Sequence, residues 1–194
     1  MSAVLEKIDI DSFVGDGLDI IGTDGSDRLF GTEDGDLIDG GDGHDIIFGD
    51  NFSPGEGGND LIIGGRGDDI IQAGLGDDSI IGGVGNDIIQ GGMGDDVIEG
   101  SSGSDTLIGD EGADVFGFDL EDFENNDRDV IADFQLDEDT IVIRGLGEDD
   151  QIGFDSFTNG ITINGNSVIS LAGSEVKVSD LNIEEDDDGD YILV

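Results

Sequence analysis

A phrase of nine residues recurs ten times between Gly22 and Gly117, and it restricts the chain to a repeating architecture. Six consecutive copies read GEGGNDLII, GGRGDDIIQ, AGLGDDSII, GGVGNDIIQ, GGMGDDVIE and GSSGSDTLI. The sixth position is aspartate in every copy: Asp27, Asp36, Asp45, Asp60, Asp69, Asp78, Asp87, Asp96, Asp105 and Asp114. The eighth is always large and apolar: Leu29, Ile38, Ile47, Ile62, Ile71, Ile80, Ile89, Ile98, Leu107 and Phe116. Glycine-rich stretches supply turns, and the Ile, Leu and Val that follow favour a short strand. Strand side chains alternate faces, so only the middle residue of each strand need point inward. Two copies then close one coil of 18 residues, with a strand in each of two sheets and the eighth positions meeting between them. One insertion interrupts the phase. Asp45 and Asp60 are 15 residues apart rather than 9, which places six added residues near Asn51-Phe52-Ser53-Pro54. The chain's single proline sits there, as a bulged surface loop requires.

An 18-residue coil lays each copy beside the next but one. Asp27, Asp45, Asp69, Asp87 and Asp105 stack on one edge, and Asp36, Asp60, Asp78, Asp96 and Asp114 on the other. Parallel strands lie about 4.8 Å apart, and carboxylates at that spacing repel unless a cation lies between them. Calcium takes 6–8 oxygen ligands at roughly 2.3–2.6 Å, main-chain carbonyls included. Each gap between stacked loops offers two carboxylates and several carbonyls, which gives up to about eight calcium sites in all. Magnesium is the poorer fit because it retains its waters and demands a tight octahedron. Zinc lacks its usual donors, since the chain has no cysteine and only one histidine, His44, which reads as a solvated loop residue.

Composition sharpens this expectation. There are 50 acidic residues against 6 basic ones, a formal net charge of −44, and 36 glycines. Such a balance excludes nucleic acid and anionic membrane as ordinary partners. It also makes the metal-free chain self-repelling and entropically costly to order. A bound cation is therefore expected before the chain folds. No apolar run is long enough to predict a transmembrane segment. The start, MSAVLEKIDIDSFVGDG, has neither a basic n-region nor an apolar h-region, so export by a route without a cleaved N-terminal signal is expected.

Three regions are expected: an N-terminal cap over 1–21, the repeats over 22–117, and a β-rich cap over 118–194. Within the last, DVIADF and DTIVI read as strands. Asn164-Gly165 between two alternating runs predicts a hairpin, VKVSDLNI a further strand, and EEDDDGD a solvated acidic run.

The repeats resemble the RTX (repeats-in-toxin) nonapeptide GGxGxDxUx, with ten copies in phase over about half the chain. The resemblance implies a parallel β-roll with calcium between successive turns. It carries over to the ten aspartates, and Gly65, Gly67, Gly83, Gly85, Gly92 and Gly94 match loop positions that offer main-chain carbonyls. GADVFGF followed by DVIADF and DTIVI is similar to the segment that closes the roll in RTX proteins exported by type I secretion. Such proteins carry an uncleaved C-terminal signal, and Asp190-Tyr191-Ile192-Leu193-Val194 matches an acidic residue followed by apolar ones. The resemblance thus implies a secreted, extracellular protein with the type I secretion apparatus as a partner. Departures fall on Gly31-Thr32-Glu33-Asp34-Gly35-Asp36, Gly22-Thr23, Ala73 and Gly100-Ser101-Ser102.

No zinc-protease helix or nucleophile elbow is present, so no enzyme is expected. The function expected is a secreted calcium-binding protein that folds on binding calcium after export. The alternatives are the calcium-binding and secretion module of a larger enzyme of metalloprotease, lipase or alginate epimerase type, and a surface or matrix component. Apolar residues at the outward seventh and ninth positions, such as Ile70, Ile88, Phe30 and Phe48, predict a covered face or self-association.

Overall fold

The computed structural model describes residues 17–50, 57–123, 127–146, 150–155, 159–164, 166–171, 182–185 and 191–194. The expected N-terminal cap up to residue 16, the proline loop at 51–56, and most of VKVSDLNI and the acidic run lie outside the described residues.

Strands alternate between two sheets. The first holds β1 (Asp19–Ile21), β3 (Leu37–Asp39), β5 (Leu61–Arg66), β7 (Ser79–Val84), β9 (Val97–Ser102), β11 (Val115–Asp119) and β13 (Thr140–Arg144), in that order. The second holds β2 (Arg28–Phe30), β4 (Ile46–Phe48), β6 (Ile70–Leu75), β8 (Ile88–Met93), β10 (Thr106–Glu111) and β12 (Asp129–Ile131). Every pair within these two runs is parallel. The protein is a parallel β-roll, as the 18-residue coil predicts.

Register places the apolar residues. Ile38, Ile62, Ile80, Ile98, Phe116 and Ile141 are successive partners in the first sheet. Ile47, Ile71, Ile89, Leu107 and Ile131 do the same in the second. All are 0–1% exposed and form one core. Identical coils stacked in phase put like residue on like, so a slip by one would expose every eighth position.

Two features differ from the sequence expectation. Strands β5 to β10 run for six residues rather than three, crossing into the first three positions of the next copy. Pairing continues through Gly65↔Gly83 and Arg66↔Val84, since any segment repeated in identical conformation can hydrogen-bond to its copy one coil away. The insertion also enters later in the phrase. Gly49 and Asp50 donate N–H to Gln72 and Ala73 carbonyls and so occupy the first two positions of the loop, with the added residues following Asp50.

The parallel stack ends at β12 and β13. β14 (Ile152–Asp155), β15 (Gly160–Ile163) and β16 (Asn166–Ser170) form an antiparallel extension of the second sheet, with β16 set parallel to β12. Asn164 takes φ 54° in the turn between β15 and β16, the hairpin that Asn164-Gly165 predicts. In the first sheet β18 (Tyr191–Leu193) lies antiparallel to β13 and to β17 (Ile183–Glu185).

A buried ion pair marks this closure. Arg144, 4% exposed, donates from Nη2 to Glu99 Oε1 at 2.7 Å and from Nε to Asp119 Oδ1 at 2.9 Å. The guanidinium reaches β9 by passing over Gly117, where a Cβ would stand 3.2 Å from Nη1. Replacing one partner of a buried pair leaves the other charge uncompensated, at about 3–5 kcal/mol. Arg144→Met in saturating calcium is expected to lose about that much. Arg144→Met with Glu99→Gln should recover part of it. Urea midpoints of the two variants check this.

Candidate metal centre

The loops bring the sixth-position aspartates into two files running up the edges of the roll. From Asp45 onward, Oδ1 of each accepts the main-chain N–H of the aspartate one coil earlier. Along one file the donors and acceptors run Asp27 to Asp45 (2.7 Å), Asp45 to Asp69 (2.7 Å), Asp69 to Asp87 (2.8 Å) and Asp87 to Asp105 (2.8 Å). Along the other they run Asp36 to Asp60, Asp60 to Asp78 and Asp78 to Asp96, each 2.8 Å, then Asp96 to Asp114 at 3.0 Å. The stacking expected from the sequence, across intervals of 18 and 24 residues, is the stacking observed.

The second carboxylate oxygen is in a different condition. Oδ2 of Asp45, Asp60, Asp69, Asp78, Asp87, Asp96 and Asp114 is buried without a hydrogen-bond partner. Burying a carboxylate oxygen with no donor or cation is costly. Those of Asp45, Asp60, Asp69, Asp87, Asp96 and Asp114 turn toward the glycine that opens their own copy. A Cβ on Gly82 would overlap Asp87 Oδ2, and Gly91 and Gly109 stand in the same relation to Asp96 and Asp114.

Main-chain oxygens enter the same gaps. The Gly65 carbonyl oxygen lies against the Cα of Gly83, Gly67 against Gly85, Gly76 against Gly94, Gly85 against Gly103 and Gly94 against Gly112. A side chain at any of those receiving glycines would overlap the carbonyl. The glycines also hold left-handed backbone: Gly67 has φ 128°, Gly85 146° and Gly94 127°. Among the described residues no three His, Cys, Asp or Glu side chains converge as a metal-binding group. An ion here would therefore combine carboxylate and carbonyl oxygens. That set of hard donors fits calcium and offers nothing for a thiolate- or imidazole-seeking metal.

Burial raises the carboxyl pKa values along the files, against the lowering effect of the accepted N–H. Asp60, Asp87 and Asp96 rise to about 7, Asp114 to about 6 and Asp78 to about 9. Asp69 is raised by the same cause. Unfolded aspartate titrates near 4, so the metal-free roll prefers these groups protonated. Its stability is greatest below the unfolded value and is lost as pH rises through about 6–9. In excess chelator, acidification from pH 8 to pH 5 is expected to increase β structure, with protons standing in for the cation. Far-ultraviolet circular dichroism reads this, and a flat pH response would contradict it.

Two groups of residues escape a nine-residue reading. Asp129 and Asp139 continue the files beyond the repeats, accepting the N–H of Asp105 at 2.9 Å and Asp114 at 3.1 Å. Their signal was Asp-x-apolar at intervals of 24 and 25 residues, much like the interval across the insertion. The fifth positions form a second hydrogen-bonded file. Ser26, His44, Asp68, Asn86 and Ser104 each accept the N–H of the fifth residue one coil later. Asn59, Asp77 and Asp95 do so on the other edge. His44 is exposed, and its Nδ1 accepts from Asp68 at 2.7 Å.

The profile of the RTX calcium-binding nonapeptide repeat (4 copies) matches residues 21–53, 54–89 and 90–119. No curated protein matches the chain.

Proposed function

We propose, for a chain that belongs to the RTX calcium-binding nonapeptide-repeat family, a secreted protein whose roll forms when calcium enters the gaps between stacked loops. The ligands in this reading are carboxylates of the sixth-position aspartates from Asp45 to Asp114 and carbonyls at positions such as Gly65, Gly67, Gly83, Gly85, Gly92 and Gly94. The observation that carries it is the row of buried, unpartnered Oδ2 atoms on a chain of net charge −44. Bound calcium supplies positive charge where those oxygens face. The chain supplies rigid placement: Oδ1 is fixed by an N–H, the glycine φ angles aim carbonyls, and the isoleucine core sets the coil spacing.

Extracellular modules commonly bind calcium with Kd of about 10⁻⁴–10⁻³ M. Sites of that strength stay empty at cytosolic calcium levels and fill outside the cell. An unfolded chain suits passage through a narrow export channel. The C-terminal strand agrees with this order of events. Leu193 is fully buried and Tyr191–Leu193 pairs with β13 and β17, so a signal there is legible only before folding. The role assigned is calcium binding rather than catalysis.

Export is tested by expressing the full chain in cells that have a type I secretion apparatus. The protein is expected in the medium, and deletion of residues 190–194 is expected to retain it inside. Equal export of both forms would remove the C-terminal signal from this reading.

A further inference from the structure

The aspartates at the N-terminal end of the files differ from those in the middle. Asp27 Oδ2 accepts the Thr23 N–H at 2.7 Å and the Thr23 hydroxyl at 2.8 Å. Asp36 Oδ2 accepts the Thr32 N–H, and the Thr32 hydroxyl donates to Asp36 Oδ1 at 3.3 Å. At the far end, Asp139 Oδ2 accepts the Gln135 N–H at 2.7 Å. In each case the donor stands four residues before the aspartate, whereas Oδ2 of Asp87 and Asp96 has no donor. A cation there would meet N–H and O–H hydrogens rather than oxygen lone pairs. These loops do not fit calcium.

The cause lies at the second position of the phrase. Gly41, Gly65, Gly74, Gly83 and Gly92 hold it with φ between 94° and 133°, and Ser101 and Asp110 hold it at 68° and 69°. A β-branched residue is a genuine outlier at positive φ. Thr23 and Thr32 stay out of the left-handed region, and their loops fold so that the second-position N–H points inward onto the carboxylate. Each hydroxyl also bridges toward the fourth position: Thr23 caps the N–H of Gly25 at 3.2 Å and Thr32 that of Asp34 at 3.2 Å. Ser101 and Asp110 lack the branch and take positive φ.

We infer that threonine at the second position converts a calcium loop into a self-closed one, so that Gly22–Asp27 and Gly31–Asp36 end the ion file without binding calcium. The inference rests on calcium filling the central loops. It adds a polarity to them: the ladder can be held by ions in the middle and by hydrogen bonds at its ends.

Native mass spectrometry of the intact chain in a calcium titration tests this by counting tightly bound ions. Asp36→Asn and Asp27→Asn are expected to leave the count at the wild-type value, while Asp87→Asn lowers it. Thr32→Gly combined with Asp34→Gly restores glycine at the second and fourth positions and is expected to raise the count by one. Loss of an ion in Asp36→Asn, or no gain in the glycine variant, would overturn the inference. Absence of bound calcium in the wild-type chain itself would instead overturn the functional reading beneath it. Amide hydrogen exchange on each calcium-loaded variant establishes that the roll has formed.

Discussion

Asp87→Ala is expected to leave the roll unformed at calcium concentrations that fold the wild-type chain. The substitution removes two interactions at once. Asp87 Oδ1 caps the Asp69 N–H at 2.8 Å, deep in the loop edge, and Oδ2 is one of the buried oxygens with no partner of its own. An unsatisfied buried N–H costs about 1–3 kcal/mol. Loss of a carboxylate ligand comes on top of that. The effect is expected to spread, because Asp87 also donates its own N–H to Asp105 and so couples neighbouring coils. Asp87→Asn separates the two roles. Its amide oxygen can still accept the Asp69 N–H, while its NH₂ cannot bind a cation. Its calcium midpoint is expected to shift upward at least tenfold with the fold recoverable at high calcium, whereas Asp87→Ala is not rescued. Asp95→Ala, at an exposed fifth position, should stay within about 1 kcal/mol of wild type, the worth of an ordinary hydrogen bond.

Gly85→Ala should be about as damaging, although it deletes nothing. Gly85 has φ 146°, and its Cβ would overlap the Gly67 carbonyl oxygen. Strained φ alone costs about 1–3 kcal/mol. Forcing an extra methyl into a filled interior adds about 1–3 kcal/mol. The displaced atom is also one of the carbonyl oxygens that faces the gap, so calcium affinity falls with stability. The second and fourth positions are not equivalent in this respect. Ser101 and Asp110 occupy the second at φ near 68°, within the left-handed helical region that polar residues visit. The fourth lies between 121° and 152° in Gly43, Gly67, Gly76, Gly85, Gly94, Gly103 and Gly112, where only glycine is at ease. Gly83→Asn should therefore be tolerated better than Gly85→Asn, as compared by urea midpoints in saturating calcium.

Much of this was legible because the repeat reports its own geometry. A fixed aspartate and a fixed apolar residue every nine positions imply two files and a two-sided core, and Ile80 over Ile62 and Asp87 over Asp69 follow from an 18-residue coil. What escaped was set by contacts between coils rather than by residues within a copy. The fifth position is Ser26, His44, Asp68, Asn86 and Ser104 along one edge and looks variable. Its requirement is a hydrogen-bond acceptor, which several side chains meet. Six-residue strands arise because Gly65 and Arg66 find their own images in Gly83 and Val84, a pairing that strand propensity does not encode. Asp129 and Asp139 stand in loops with no glycine phrase around them, so only their place in the stack reveals them. The closed loops at Thr23 and Thr32 read in sequence as imperfect copies. Their meaning lies in what a β-branched residue forbids.

Calcium binding and folding are one event in this reading. It is tested most directly by far-ultraviolet circular dichroism of the full chain at pH 7, titrated with calcium from excess chelator and separately with magnesium. A disordered spectrum is expected in chelator, with a cooperative rise of β structure as calcium approaches about 10⁻⁴–10⁻³ M and little response to equal magnesium. A spectrum already β-rich in chelator and unchanged by calcium would contradict it.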